Sequence, residues 1–541
     1  MDRRQFLQHT VAGTAVLATG SHPRAQPVLA QEPPRVTSAP LAVGEEVAER
    51  DVADLRRGLE SGQLTARALT QAYLRRIDAL DRQGPTLNSV IELNPDALEI
   101  AERLDIERKA GKVRGPLHGI PVLIKDNIDT ADRMKTTAGS LALVDARPLA
   151  DAGLVTRLRE AGVVILGKTN LSEWANFRSE HSTSGWSGRG GLTRNAYALD
   201  RNACGSSSGS GTAAAASLCA VAVGTETDGS IICPSSRSGL VGIKPTVGLV
   251  SRSGIIPISA TQDTAGPMAR TVADAAALLQ VLAGTDARDA ATTAQRRARD
   301  YTEYLQADAL QGKRIGVMRN FFGFDARVDA LMEDAIKALE AAGAVIVDKA
   351  NLPTRGQFGD AEYEVLLYEF KAGVNAYLAT LGPSAPMKTL QDLIAFNEAH
   401  AKEEMPYFGQ DIFLAAQKKG PLTDKAYLAA KARAARLSRA EGLDRVFALK
   451  KVDALLSPSG GPAWLTDLVN GDYGTGGSSG PAAVSGYPSI TVPAGLVRGL
   501  PVGVSFTGPA WSEGALIAIA YAYEQRTKLR RPPQYLPNAL V

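Results

Sequence analysis

Apolar side chains recur along this chain in two rhythms. In "LTARALTQAYLRRIDAL", Leu69, Tyr73, Ile77 and Leu80 stand at i, i+4, i+8 and i+11. That spacing places them on one face of a helix, with Thr65 as the N-cap. Asn94-Pro95 reads as N-cap and first turn of a second helix, which Gly111 closes at the C′ position. "IPVLI" at 120–124 is a short unbroken apolar run bounded by polar residues, the pattern of a buried strand. The same helix-then-strand order returns in "LVTRLREAG" with "VVILG", and in "VDALMEDAIKALEAAG" with "AVIVD", preceded by "RIGVM". Thr271 caps "VADAAALLQVLAG", and "ALLSPS" (454–459) and "SITVPAG" (489–495) read as late strands.

Helices alternating with short apolar strands predict an α/β protein. The expected fold is one large α/β/α domain over 46–541, with a central mixed, mostly parallel twisted sheet covered by helices. The strand-poor stretch 355–448 reads as a helical insertion or cap on that domain. Residues 31–45, "QEPPRVTSAPLAVGE", have the composition of a linker.

Residues 1–30 stand apart from this pattern. Arg3-Arg4, then Phe6-Leu7 and a mildly apolar stretch to Gly20, resemble a twin-arginine export signal with cleavage near Ala25 or Ala30. The expectation is a protein exported by that route to the periplasm or beyond. The stretch is too short to span a membrane, and no later run is longer. With 45% hydrophobic and 22% charged residues and a net charge of +3, the 541-residue chain has the make-up of a globular protein. It carries no basic, aromatic-interleaved patch for nucleic acid. Cys204, Cys219 and Cys233 are too few for a disulfide scaffold and show no zinc spacing, so they read as buried small hydrophobes.

Past the leader the histidines are His118, His181 and His400, none in a hydrolase or metal motif. Gly209-x-Gly211-x-x-Ala214 matches a dinucleotide fingerprint loosely, but "LDRNAC" before it is no strand. A different chemistry fits better. "LCAVAVGTETDGSI" carries an apolar strand into a Gly-containing turn with Ser230 at its tip, and "IPVLIKDN" carries another strand to Lys125. A buried lysine can act as a base for a serine nucleophile if desolvation lowers its pKa towards 7–8. That shift of roughly 3 units costs about 4 kcal/mol, so it needs a large dry core. A second hydroxyl from the serines at 206–208 would relay the proton.

Four segments carry a specific resemblance: "GPLHGIPVLIKDNIDT" (115–130), "ILGKTNLSEWANF" (165–177), "CGSSSGSGTAAAAS…VAVGTETDGSI" (204–231) and "GIKPTVGLVSRSGIIPISATQDTAGPMARTVADAA" (242–276). In this order they resemble the amidase signature family, and the likeness runs from about residue 50 to 540. It implies a Ser–cis-Ser–Lys triad of Ser230 (nucleophile), Ser206 and Lys125. It also implies an oxyanion hole from the backbone of Thr227, Asp228, Gly229 and Ser230, and acyl transfer without metal or organic cofactor.

Within the family, the A-type chains of glutamyl-tRNA amidotransferases carry GTDTGGSIRxP at the nucleophile, whereas this chain has Asp228 and Ile232 at two of those positions. "LLYEFKAGVNAYL" and "MPYFGQDIF" resemble bacterial peptide amidases, which remove ammonia from C-terminal peptide amides. The alternatives are amidases of small aliphatic, aryl or fatty amides, and an A-type chain of an amidotransferase. Phe408, Gln410, Trp464 and Tyr473 stand as candidates either for the substrate pocket or for core packing.

Overall fold

The structure is a computed structural model that describes residues 44–294 and 300–539. The export-signal and most of the linker expectation fall on residues outside that range. Leu69, Tyr73, Ile77 and Leu80 are all buried, on the helix Ala66–Arg76 and the π-type turn that prolongs it to Arg82. Thr65 caps it, accepting the Ala68 N–H at 3.0 Å, a contact worth about 1 kcal/mol. Thr271 caps the helix Val272–Leu282 in the same way. Gly111 follows the helix Ala97–Lys109 at a φ of +78°, the left-handed geometry that glycine tolerates.

Asn94 is not the cap predicted for that helix. The helix begins two residues later than Pro95, after Asp96, and the Asn94 side chain instead closes the turn ahead of it, its Oδ1 accepting the Asp96 N–H at 3.0 Å. Its Nδ2 donates to the Ile165 carbonyl at 2.8 Å, tying the turn to a neighbouring strand.

The strands in chain order are β1 Val90–Leu93, β2 Pro121–Lys125, β3 Val164–Thr169, β4 Trp186–Ser187, β5 Gly191–Leu192, β6 Val221–Glu226, β7 Val241–Lys244, β8 Thr264–Ala269, β9 Arg314–Val317, β10 Val345–Val347, β11 Ala454–Pro458, β12 Ser489–Val497 and β13 Leu500–Thr507. Except for the small β4–β5 ribbon they form one mixed sheet of 11 strands, ordered β1-β3-β2-β6-β8-β7-β12-β13-β11-β9-β10. Helices cover it. The parallel pairing anticipated from the helix–strand alternation occupies two groups, β3–β2–β6 and β11–β9–β10. These need helical crossovers such as Gly153–Glu160 and Ala326–Ala341. Between the groups the pairing is antiparallel through β8, β7, β12 and β13. The β12–β13 link is only Arg498-Gly499, both at positive φ, the geometry of a tight hairpin turn matched to strand twist.

Between β10 and β11 the chain is helical. Gly359–Thr380, Leu390–Ala399, Asp411–Gln417 and Lys425–Ser438 are its longer pieces. The first three build a separate apolar cluster in which Phe370, Leu378 and Phe413 pack with Trp174 and Ile256 of the sheet-bearing part. No helix among the described residues is long and apolar enough to cross a membrane.

The cysteines correct the expectation drawn from their number. Cys204 and Cys233 form a disulfide with Cα atoms 6.1 Å apart, and only Cys219 is the buried small thiol expected, its pKa pushed up to about 12 by burial. The pair stands 29 residues apart in sequence, and the fold, not the spacing, brings the two together.

Candidate active site

β2 and β6 are parallel neighbours, so their C-terminal ends open on the same edge of the sheet. Ligands bind at such edges in open α/β sheets. Lys125 ends β2 and is fully buried. Its Nζ lies 2.7 Å from Ser206 Oγ and 2.8 Å from Thr225 Oγ1, with the Thr225 carbonyl at 3.4 Å. Asn127 Nδ2 donates to the same threonine hydroxyl at 3.0 Å. Burial pushes the Lys125 amine down to about 7, against the opposing fields of Asp263 and Glu226. A large fraction of Nζ is therefore neutral near pH 7 and free to take a proton.

The loop that carries Ser206 turns sharply. Cys204 has a φ of +58° and the Gly205–Ser206 peptide bond is cis. A Cβ at Gly205 would overlap Ser172 Oγ, so glycine lets the backbone pass. The Ser206 carbonyl accepts the Ser172 N–H at 3.1 Å. Ser207 faces the other way. Its hydroxyl donates to the Thr225 carbonyl at 3.0 Å and accepts the Thr225 N–H at 3.2 Å, closing onto β6. The alanine-rich segment behind is the helix Ser208–Ala215, every residue of it buried.

Ser230 follows β6 after the turn 227–230, where Gly229 has a φ of +81°. The Ser230 carbonyl accepts the Ser207 N–H at 3.2 Å, setting the serine beside the 204–207 loop. Glu226 holds the far side of the turn. Its Oε2 accepts the N–H groups of Ile231 and Ile232 at 2.8 and 3.0 Å, while burial raises its carboxyl. Thr227 Oγ1 donates to Asp263 at 2.6 Å. A cleft of about 490 Å³ behind the turn is lined by Asp263, Pro257, Ser259, Gly373 and Tyr377, and contains none of Lys125, Ser206 and Ser230.

This arrangement joins a desolvated amine, a hydroxyl in contact with it, and a second serine on a glycine turn alongside. The family model for amidases matches residues 68–517. The chain belongs to the amidase family. It is an amide-hydrolysing enzyme. A probable amidase of Arabidopsis thaliana is 41% identical over 501 residues, covering 91% of this chain and 92% of that one. The native peptide amidase of Stenotrophomonas maltophilia, a solved structure, is 55% identical with a TM-score of 0.86, covering 90% of this chain and 99% of that one. The A-type chain of the glutamyl-tRNA(Gln) amidotransferase from Pseudomonas syringae pv. syringae is 36% identical, covering 88% of this chain and 97% of that one.

Around this amidase core the four pocket candidates separate. Phe408 is buried, with the Arg178 guanidinium 4.3 Å above its ring and Trp186 edge-on at 5.2 Å. Gln410 is buried too, accepting from Asn397 Nδ2 at 3.0 Å and donating to the Ile394 carbonyl at 3.2 Å. Gln410 is thus held within the helical insertion, whereas Phe408 fastens the insertion to Arg178 and Trp186 of the sheet-bearing part. Trp464 stacks over Arg237 at 4.8 Å, and Arg237 Nη1 lies 2.7 Å from Cys233 Sγ. Tyr473 is exposed. Its neighbour Asp472 accepts the Ser184 N–H at 3.0 Å. Among histidines, His118 is buried against the Leu104 carbonyl at 2.9 Å and His400 stacks on Phe396. The sequence pattern does not single out Thr225, Asn127, Ser172 or Asp263; each acts through a contact to a residue far away in the chain.

Proposed function

We propose that this amidase hydrolyses C-terminal peptide amides to acid and ammonia, with Ser230 as nucleophile, Ser206 as relay and Lys125 as base. The observation that carries the reading is the buried Lys125 amine, 2.7 Å from Ser206 Oγ and pushed down to about 7. In this mechanism Ser230 Oγ attacks the amide carbonyl. Its proton passes to Ser206, whose own proton goes to neutral Lys125. The tetrahedral oxyanion is met by the backbone N–H groups of Thr227, Asp228, Gly229 and Ser230. As the C–N bond breaks, the relay runs backwards and protonates the leaving nitrogen, which departs as ammonia. Water, deprotonated through the same relay, then cleaves the ester of Ser230, releasing the acid and restoring the enzyme.

The substrate class rests on likeness to the peptide amidase, which at 55% identity is closer than the amidotransferase chain with its 36%. Asp228 and Ile232, where such amidotransferase chains carry glycine and arginine, support the same choice. Export by the twin-arginine route is part of the proposal. A disulfide between Cys204 and Cys233 suits an oxidising compartment.

The test is ammonia release by purified protein across peptide amides, amino-acid amides, aryl amides and fatty amides. Peptide amides should give the highest kcat/KM, and Ser230→Ala should lower kcat by about 10⁴-fold or more. Ammonia release only in the presence of partner proteins would favour the amidotransferase reading. Retained activity in Ser230→Ala would remove the nucleophile assignment.

A further inference from the structure

Arg237 is a guanidinium buried without a carboxylate partner. It ends the helix Ile232–Arg237, four residues after Cys233, which places the two side chains one above the other on the same face. Its Nη1 lies 2.7 Å from Cys233 Sγ and 3.9 Å from Cys204 Sγ, so one nitrogen touches both sulfurs of the disulfide. The Trp464 ring stacks on the guanidinium, and Nε has no hydrogen-bond partner. Among the described residues Arg237 makes no ion pair. Asp472 acts on it from farther off, its oxygens taken up by the Ser184 N–H and hydroxyl and by Asn202 Nδ2. Burial lowers the guanidinium to about 10 against that opposing field. Disulfide sulfurs are weak acceptors and offset little of the charge. A thiolate in the same place would offset it as a counter-ion.

We propose that the Cys204–Cys233 bond is a thiol-exchange site with Arg237 as its thiolate-holding cation: a small thiol adds to Cys233, Cys204 leaves as a thiolate, and the amidase slows until the bond re-forms. The slowing rests on the acyl-transfer reading given above; the exchange does not.

Cys233 is the half-buried member of the pair and Cys204 the buried one, so an incoming thiolate meets Cys233 first. A new S–S bond forms between the small thiol and Cys233 Sγ as the Cys204–Cys233 bond breaks, and the electron pair of the broken bond stays on Cys204 Sγ. One disulfide replaces another without net oxidation, and the proton of the incoming thiol goes to solvent. Arg237 stands within reach of the departing sulfur, and a thiol of lower pKa leaves faster. The reverse step has the Cys204 thiolate attack Cys233 and expel the small thiol. Position couples the site to catalysis. Cys204 lies two residues before Ser206 and Cys233 three after Ser230, so exchange unties the two loops and sets an adduct beside them.

The test incubates oxidised wild type and Arg237→Gln with reduced glutathione, quenches samples in acid, and follows peptide masses and ammonia release in parallel. Glutathione should appear on Cys233 in the wild type, and about tenfold or more slowly in Arg237→Gln. Loosened packing alone would expose the bond and speed the exchange, so the direction separates lost charge from lost structure. Ammonia release should fall in proportion to the adduct and return as glutathione is removed. Equal or faster exchange in Arg237→Gln, or a wild-type bond that glutathione never opens, would overturn the site. Adduct without loss of rate would overturn its hold on catalysis. If Arg237→Gln fails to fold by circular dichroism, reduced wild type decides alone. Its ultraviolet thiolate absorbance should show a first step below about pH 7.5, against about 8.5 for an ordinary thiol. Cys219, pushed up to about 12, stays silent there. A first step near 8.5 would overturn the proposal. A protein that releases no ammonia from any amide would sink the acyl-transfer reading, yet the adduct masses and the thiolate titration would still decide the exchange site.

Discussion

A lysine amine enclosed on every side folds only by giving up its proton, and Lys125 shows what that costs. Its pKa falls from the ordinary 10.5 to about 7. Above pH 10.5 the amine is neutral in both folded and unfolded chains, and burial carries no penalty. Between 10.5 and 7 the unfolded chain binds the extra proton, so stability declines as pH falls. Below 7 the full penalty applies, on the order of 5 kcal/mol from the size of the shift. Lys125→Met should therefore be catalytically dead, its kcat down by roughly 10²–10⁴-fold. Its stability relative to wild type should be highest near pH 6 and decline steadily towards pH 10. Denaturant melts across that range measure it; a gap that does not change with pH would mean the amine is not desolvated as described. The serines are separable in the same way. Ser206 touches Lys125, whereas the Ser207 hydroxyl is engaged with both backbone groups of Thr225. Ser206→Ala should lose about 10²–10⁴ in kcat. Ser207→Ala should instead lose roughly 1–3 kcal/mol of stability and keep its rate within about tenfold. Equal kcat losses in the two would leave the relay unassigned. Residues alone left positions 206–208 open, because which of three adjacent hydroxyls faces a lysine 81 residues upstream depends on the turn of the loop.

The elements show where a chain's own pattern suffices and where it does not. Thr65, Thr271 and Gly111 work as read because caps depend on neighbours within four residues. β8, "TAGPMA", was not legible as a strand. Its glycine and proline argue against one, and it exists because β6 and β7 pair with it on both sides. The glycine-rich run before the alanines misleads in the other direction, since it has a linker's composition and yet opens a wholly buried helix. Its glycines mark close approaches. A Cβ on Gly209 would strike the backbone oxygens of Ser89 and Asn170, and neither strand end can retreat easily. Gly209→Ala should cost about 1–3 kcal/mol as overpacking, despite alanine's better helix propensity. It should also depress kcat more than it raises KM, because the helix seats the Ser206 loop. Gly359→Ala, where nothing stands within 4 Å, should stay within about 0.5 kcal/mol of wild type. A Gly209→Ala protein as stable as wild type would mean the helix shifts freely behind the loop.

At the scale of the whole molecule, the groups of the proposed triad come from β2, the 204–207 loop and the turn after β6, which only the sheet order makes neighbours. The alternation of helices and strands made the α/β class legible, but not the antiparallel middle of the sheet, which depends on pairings between distant strands. The Cys204–Cys233 disulfide is a covalent tie across this assembly. It fastens the chain two residues before Ser206 to the helix that starts just after Ser230. Closing a loop of 29 residues removes conformational freedom from the unfolded chain, worth roughly 3–4 kcal/mol. The bond also couples two walls of the site, so its loss should show in catalysis as well as stability. The paired substitution Cys204→Ser with Cys233→Ser should lower the unfolding free energy by about that amount. It should also reduce kcat, with Arg237 left against two hydroxyls instead of sulfur. Dithiothreitol should reproduce the stability loss in wild type and have no effect on the double variant. If reductant destabilises both proteins equally, the effect lies outside this bond, and the two walls are held by packing alone.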